Sequence, residues 1–194
     1  MVKTRYAAPF SSELAVQRVK EWQRFATHGH QLSGPASASV TIVEFADYQC
    51  PACRLLAPVL DSISASAGDS IRIVFRHFPL PTHVFAWQAA LLSECASRQG
   101  KFAQMHRRLF QAQDSLGAIA WTRLALQAGV ADTVAVAECL QSRDAADRVS
   151  ADTAAAHELA MRATPTLLIN GLRVEGAMSP NQLQRLVERG ATLR

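Results

Sequence analysis

The hydrophobic positions of this chain follow two different periods, which predict strands towards both ends and helices between them. Residues 40–45 and 71–75 are short runs rich in β-branched side chains, which is typical of buried strands. Over residues 54–67 the apolar side chains recur instead at helical spacing. A strand, a helix and a second strand in this order predict a βαβ crossover with a pair of parallel strands.

The middle of the chain carries only a helical pattern. Residues 82–163 are dominated by Ala, Leu and Gln and contain no convincing strand. Four or five helices are predicted there, because the pattern is interrupted at Gln99-Gly100, residues 115–117, Gly129 and Ser142.

Strand signals return near the carboxyl end. Residues 166–169 and 172–174 flank Asn170-Gly171, which is the strongest short signal for a hairpin turn. A final helix is expected after this hairpin, capped at its start by Ser179, Pro180 and Gln182 and at its end by Gly190.

At the amino end, residues 11–26 show helical spacing of apolar side chains, which predicts one amphipathic helix. Residues 28–39 are rich in Gly, Ser and Pro and are interpreted as a loop.

The predicted fold class is therefore α/β, with the order β-α-β, a helical block of about 80 residues, and β-β-α. Neither β half has enough strands to form a stable sheet alone, so we expect one sheet interrupted by a helical insertion. The parts are an N-terminal helix and linker (1–33), a discontinuous sheet domain (34–81 and 164–194) and an insertion domain (82–163).

Composition and charge exclude several classes of protein. The 194 residues are 49% hydrophobic and 19% charged, which excludes a disordered chain. The net charge of +4 is scattered without a Lys/Arg block, so nucleic-acid binding is not expected. No apolar run is long enough to span a membrane. The first residues lack the apolar run of a secretory signal, which leaves a cytoplasmic protein or one whose signal has been removed.

The four cysteines admit a redox pair, a structural bridge or a metal site. Cys50-Pro-Ala-Cys53 follows a predicted strand and opens a predicted helix, where unpaired N–H groups and the helix dipole stabilise a thiolate. Cys50 is then the exposed nucleophile and Cys53 the resolving partner. The alternative is half of a zinc site, but Cys95 and Cys139 stand alone in the sequence, so no metal site is predicted.

Two further features belong to the same chemistry. Glu44 is an ionisable residue inside an apolar strand, where a buried carboxylate would have a raised pKa and could exchange protons with a nearby thiol. Its alternative is an edge position facing water. Thr164-Pro165 directly precedes a predicted strand, and a cis peptide bond there would turn backbone groups towards the dithiol for pairing with an extended substrate.

These motifs together resemble the DsbA-like branch of the thioredoxin superfamily. The residues that carry the resemblance are 43–53 (VEFADYQCPAC), 75–80 (FRHFPL) and 163–171 (ATPTLLING). The resemblance implies a thioredoxin fold with a helical insertion and thiol–disulfide exchange on protein substrates. By position it makes Cys50 the attacking cysteine, Cys53 the resolving one, Pro165 a cis-proline and Glu44 the buried acid.

The resemblance also implies a bacterial periplasmic location and reoxidation by a quinone-linked membrane protein of the DsbB or VKOR type. No cofactor is predicted. Pro51-Ala52 departs from the strong oxidases, which carry a histidine between the cysteines. A disulfide-forming oxidase is the main hypothesis. The alternatives are a thiol reductase or disulfide isomerase with the same site, or a zinc- or peptide-binding module without redox turnover.

Cys95 and Cys139 admit two interpretations. They are either two small buried hydrophobic residues or a structural disulfide that joins two helices of the insertion. We favour the disulfide, since some DsbA-like proteins have one and free buried thiols are awkward beside an oxidase.

Overall fold

The computed structural model describes residues 15–193 as one six-stranded sheet with α-helices around it. The strands are β1 (Val16–Arg18), β2 (His30–Ser33), β3 (Val40–Ala46), β4 (Ile71–His77), β5 (Thr166–Ile169) and β6 (Leu172–Glu175). The helices are α1 (Pro51–Ala67), α2 (Ala86–Ser97), α3 (Phe102–Gln111), α4 (Trp121–Gln127), α5 (Thr133–Cys139), α6 (Arg143–Glu158) and α7 (Pro180–Ala191).

The sheet has the strand order β1-β6-β5-β3-β4-β2. Strands β3 and β4 are parallel and joined by α1, which confirms the βαβ crossover. All other pairs are antiparallel, and β5 and β6 form the hairpin expected around Asn170-Gly171. Both turn residues have positive φ (44° and 85°), which is the conformation that an Asn-Gly pair adopts readily.

The two faces of the sheet are covered by different elements. On one face, α1 and α7 bury Ile42 and Ile73 of the central strands under Leu56 and Leu183. On the other face, Phe45 packs beside Phe25 of a short 3-10 helix (Trp22–Ala26) and against the end of α6. Strand β3 is buried along its whole length. The turn that follows its carboxyl end is therefore anchored to a rigid part of the sheet.

Between β4 and β5 the chain forms five α-helices, α2 to α6, as the helical pattern predicted. They share one apolar core with the turn after β3 and the start of α1, which contribute Tyr48, Cys50 and Cys53. The expected thioredoxin-like α/β fold with a helical insertion is confirmed.

The N-terminal helix predicted over residues 11–26 is wrong where the structure describes it, and residues 1–14 lie outside the described part. Val16 pairs with Val174 in β1, and the Val19 N–H donates to the Gly171 carbonyl at 2.8 Å. Helical spacing of apolar residues is only a local signal, and pairing with the distant hairpin overrides it here.

Three boundaries also differ from the prediction. Residues 28–39 contain β2, an edge strand that pairs with β4, where a continuous loop was expected. Helix α1 begins at Pro51, three residues early, because Pro suits the first turn of a helix. Gly190 lies inside α7, and Thr192 is the C-cap. A side chain at Gly190 would meet Ile169 at 2.9 Å, so close packing explains this glycine.

No helix among residues 15–193 combines the length and the apolar character needed to cross a lipid bilayer.

Candidate active site

Cys50 and Cys53 lie at the start of helix α1, just after the turn that follows strand β3. Cys50 is the N-cap of the helix, in extended conformation, and Pro51 takes the first helical position. Both cysteines are free thiols. The prediction that Cys50 is exposed is wrong, since the residue is only 6% exposed and packs in the core that the helical insertion shares. Cys53 is fully buried, so the Cys50 sulfur is the more accessible of the two.

The turn that carries Cys50 is held by Asp47, to which the sequence reasoning assigned no role. Its buried carboxylate accepts the N–H groups of Gln49 (2.7 Å) and Leu80 (2.8 Å) and lies 2.7 Å from Nδ1 of His83. Its backbone carbonyl accepts the Cys50 N–H at 3.1 Å. Asp47 therefore fixes the turn to the loop after β4, and a polar residue just after a strand was the available signal.

A second support comes from the helical insertion. The side-chain amide of Gln113 donates to the backbone carbonyls of Tyr48 (2.8 Å) and Cys50 (3.0 Å). The insertion thus contacts the backbone of the nucleophile itself. Nothing local in the sequence marks Gln113 for this role, since it lies 63 residues beyond Cys50.

The loop before β5 completes the site. The Thr164–Pro165 peptide bond is cis. In its protonated form the Cys50 thiol donates a hydrogen bond to the Thr164 carbonyl, with 3.3 Å between Sγ and O. The structure therefore brings together Cys50, Cys53, Thr164 and Pro165 from segments more than a hundred residues apart.

The two thiols have very different proton affinities. A hydrogen bond from the Cys53 thiol is the largest effect that lowers the pKa of Cys50 to about 6, and the N–H groups of Ala52 and Cys53 act in the same direction. Burial raises the pKa of Cys53 well above its ordinary value, and the hydrogen bond to Cys50 and the negative charge of the Cys50 thiolate act in the same direction. One sulfur is therefore a thiolate at neutral pH while its partner keeps its proton.

Alkylation of the reduced protein is expected to report this asymmetry. The rate of iodoacetamide reaction at Cys50 should rise through pH 6 and level off above about pH 7, since only the thiolate reacts. In Cys53→Ala the midpoint should move to higher pH, because the thiol that donates to Cys50 is gone. Stopped-flow alkylation with mass-spectrometric assignment measures both profiles. Equal midpoints in the two proteins would contradict this origin of the low pKa.

Glu44 lies in the middle of β3, between Phe75 of β4 and Leu167 of β5. It is fully buried, which excludes the edge position facing water. Among residues 15–193, no group donates a hydrogen bond to either carboxylate oxygen. Burial raises the pKa of Glu44 to about 8. A carboxyl group with this pKa, close enough to influence the Cys53 thiol, has the properties needed to give or take the proton of that thiol.

Glu44 is expected to make folding stability fall as the pH rises. Its folded pKa of about 8 exceeds the unfolded value near 4.5, so the native state holds the extra proton between these values. In the oxidised protein, this group should lower the free energy of unfolding by about 3 kcal/mol between pH 5 and pH 8. Glu44→Gln should lack that slope, whatever its absolute stability.

Urea titrations across this pH range measure the slope. Glu188→Gln, the same change at an exposed position of α7, is the control and should keep the wild-type slope. A wild-type slope in Glu44→Gln would show that the buried carboxyl does not titrate as described.

The other two cysteines lie away from this site. Cys95 of α2 and Cys139 of α5 are joined by a disulfide bond, with 5.7 Å between their Cα atoms. Both are buried in the core of the insertion.

Comparison with known proteins identifies the family and the fold. A thioredoxin family model matches residues 27–189, which is most of the chain. The chain belongs to the thioredoxin family. Its fold is similar to that of a thioredoxin-like oxidoreductase from Silicibacter pomeroyi DSS-3 (TM-score 0.75, 24% identity, 90% of this chain and 99% of that one). It is also similar to alpha-DsbA1 from Wolbachia pipientis (TM-score 0.73, 21% identity, 86% and 92%). The fold is thus that of the DsbA-like thioredoxins.

The sequence is also similar to part of a larger protein. It is 36% identical over 159 residues to Na(+)/H(+) antiporter NhaA 1 of Mycolicibacterium gilvum. The match covers 81% of this chain and 26% of that protein, so this chain spans about a quarter of the relative's length.

Proposed function

We propose that this thioredoxin-family protein carries out thiol–disulfide exchange on cysteine-containing proteins and works mainly as a disulfide-forming oxidase. The observation that carries the proposal is the contrast within one dithiol. Cys50 is the reachable sulfur with a pKa of about 6, and Cys53 is a buried sulfur with a raised pKa.

The reaction starts from the Cys50–Cys53 disulfide. A substrate thiolate attacks Sγ of Cys50, the S–S bond breaks, and the electron pair leaves on Cys53. Cys53 then takes a proton, for which Glu44 is the proposed donor. A second substrate thiolate attacks the substrate sulfur of the mixed disulfide and releases Cys50 as a thiolate. The substrate has lost two electrons to the dithiol.

The direction follows from the stability of the Cys50 thiolate. A thiolate that is stabilised at neutral pH stabilises the reduced protein, which makes its disulfide a stronger oxidant. It also makes Cys50 the better leaving group when the mixed disulfide is resolved.

Protein substrates are supported by the surroundings of Cys50. The cis Thr164–Pro165 segment places backbone beside the sulfur, where an extended chain could pair with it. Apolar side chains are exposed on the two segments that frame the turn, with Leu55 on α1 at 53% and Val84 before α2 at 79% exposure. An unfolded polypeptide offers the extended backbone and apolar side chains that such a surface accepts.

The proposed setting is extracytoplasmic, since disulfide formation needs an oxidising compartment. An oxidase that has given up its disulfide also needs an oxidant. We place a quinone-linked membrane protein of the DsbB or VKOR type in that role, on the basis of the DsbA-like motifs.

The reduction potential and the turnover together test the proposal. Equilibration with glutathione measures the potential, which should lie above the about −270 mV of thioredoxin and towards the about −120 mV of a strong oxidant. The oxidised protein should convert reduced, unfolded ribonuclease to its disulfide form. A potential near −270 mV with insulin reduction would support a reductase instead. No exchange in either direction, with zinc bound by the reduced dithiol, would support a binding module.

A further inference from the structure

A cluster of ligand-type side chains lies outside the dithiol, and the mechanism does not use it. Nε2 of His30 and Nε2 of His77 lie 2.7 Å and 2.9 Å from the same oxygen, Oε1 of Glu94. All three atoms are within 4.8 Å of one another. The residues come from β2, from the last position of β4 and from α2, so the cluster joins the sheet edge to the helical insertion.

The three side chains are held in place by their neighbours. The His30 ring is stacked on Phe102 with centroids 3.6 Å apart and 11° between the planes. The His77 ring packs edge-on against Phe75 at 5.1 Å. The second carboxylate oxygen of Glu94, Oε2, accepts a hydrogen bond from Nε of Arg148 at 2.9 Å. Arg148 thus orients the carboxylate so that Oε1 is presented to the two imidazoles.

We propose that His30, His77 and Glu94 form a binding site for a divalent transition-metal ion, with Zn²⁺ as the ion that fits the donor set. Two imidazole nitrogens and one carboxylate oxygen are ligands that zinc accepts in proteins. Around tetrahedral zinc with bonds of about 2.0–2.1 Å, neighbouring ligand atoms are about 3.3–3.4 Å apart. The two observed N–O separations, 2.7 Å and 2.9 Å, are shorter by roughly half an ångström, so the imidazoles must move slightly away from the carboxylate to admit the ion.

The cluster resembles a zinc site with one free coordination position more closely than a structural site in which the protein supplies all four ligands. Three protein ligands leave a fourth position for water, as in exchangeable or catalytic zinc sites. The His30 side chain is 13% exposed, whereas those of His77 and Glu94 are 1% and 4% exposed. The fourth position is therefore assigned to the side of His30, from which the ion enters.

The Arg148–Glu94 contact has the role that outer hydrogen bonds have in metal sites, where they hold a ligating carboxylate in a fixed orientation. Arg148 itself is 56% exposed, so its charge is largely solvated and does not replace a buried cation. A metal ion would supply positive charge directly between the three ligands.

Zinc titration of the untagged, oxidised protein tests the proposal, because the Cys50–Cys53 disulfide removes the thiolates that would compete for the metal. Isothermal titration calorimetry should find one equivalent of Zn²⁺ per chain. His30→Gln should weaken binding at least tenfold. His28→Gln, the same change two residues away, should alter it less than twofold.

A spectroscopic probe keeps the test independent of how well the variants fold. Co²⁺ bound to the wild-type oxidised protein should give visible absorption without a thiolate charge-transfer band, and it should shift the ring protons of His30 and His77 in NMR spectra. The absence of binding, or binding unchanged in His30→Gln, would identify the cluster as a hydrogen-bonded ion pair and overturn the proposal. Either outcome leaves the redox proposal untouched, since the dithiol is blocked throughout.

Discussion

Cys50→Ser is expected to reduce oxidation of unfolded, reduced ribonuclease to the rate measured without the protein. A serine oxygen cannot form the disulfide that the substrate thiolate attacks, and its proton is held far more tightly than that of a thiol. Nothing else in the site can replace the sulfur, because Cys53 is fully buried and burial raises its pKa. The assay is the recovery of ribonuclease activity over time.

Cys53→Ser is the matched control, since it removes the other sulfur of the same dithiol. This variant keeps the nucleophile but cannot resolve a mixed disulfide. With oxidised glutathione it should accumulate an adduct of one glutathione at Cys50, visible by mass spectrometry. Exchange activity that persists in Cys50→Ser, or a glutathione adduct on a residue other than Cys50, would refute the assignment of the nucleophile.

Removal of the disulfide in the helical insertion is expected to have the largest effect on stability. Cys95 and Cys139 are separated by 44 positions, and closing a loop of that length stabilises by about 4 kcal/mol on the chain-entropy model. The double variant Cys95→Ala with Cys139→Ala should therefore lose about 4 kcal/mol of unfolding free energy. In a chain of this size, that corresponds to a Tm lower by roughly 10 °C.

Guanidinium titration of the oxidised proteins measures the loss. The double variant Cys50→Ser with Cys53→Ser serves as the control, because that pair closes only a very short loop and its removal should cost far less. Thiol–disulfide exchange should survive in the Cys95/Cys139 variant below its Tm, since neither residue contacts the turn held by Asp47 and Gln113 through any described hydrogen bond. Equal stability of the wild type and this variant would show that the bridge contributes nothing.

The parts of the fold that could be predicted are those whose signals are local. The buried β-branched strand, the helix that follows it and the Asn170-Gly171 turn each depend on a few adjacent residues. The helix predicted over residues 11–26 was wrong for the same reason. The apolar residues do recur at helical spacing, but Val16 pairs instead with Val174 of strand β6, which is distant in the sequence.

The site shows the same division. Cys50, Cys53, Glu44 and Thr164-Pro165 could be singled out from residue types and from the order of motifs. The residues that hold these groups in place could not be predicted in this way. Gln113 reaches the carbonyl of Cys50 across the whole length of the crossover and the first two helices of the insertion, and no pattern in either segment refers to the other.

By itself, then, the sequence determined the chemistry: a strand that ends in a dithiol at the start of a helix, with an acid inside that strand. The tertiary structure decided what surrounds each group. It buried Glu44 without a hydrogen-bond partner in the described part of the chain, placed Thr164 against Cys50, and brought His30 and His77 to one oxygen of Glu94. Burial and long-range contact set pKa values and ligand geometry, and both arise only when elements far apart in the chain pack together.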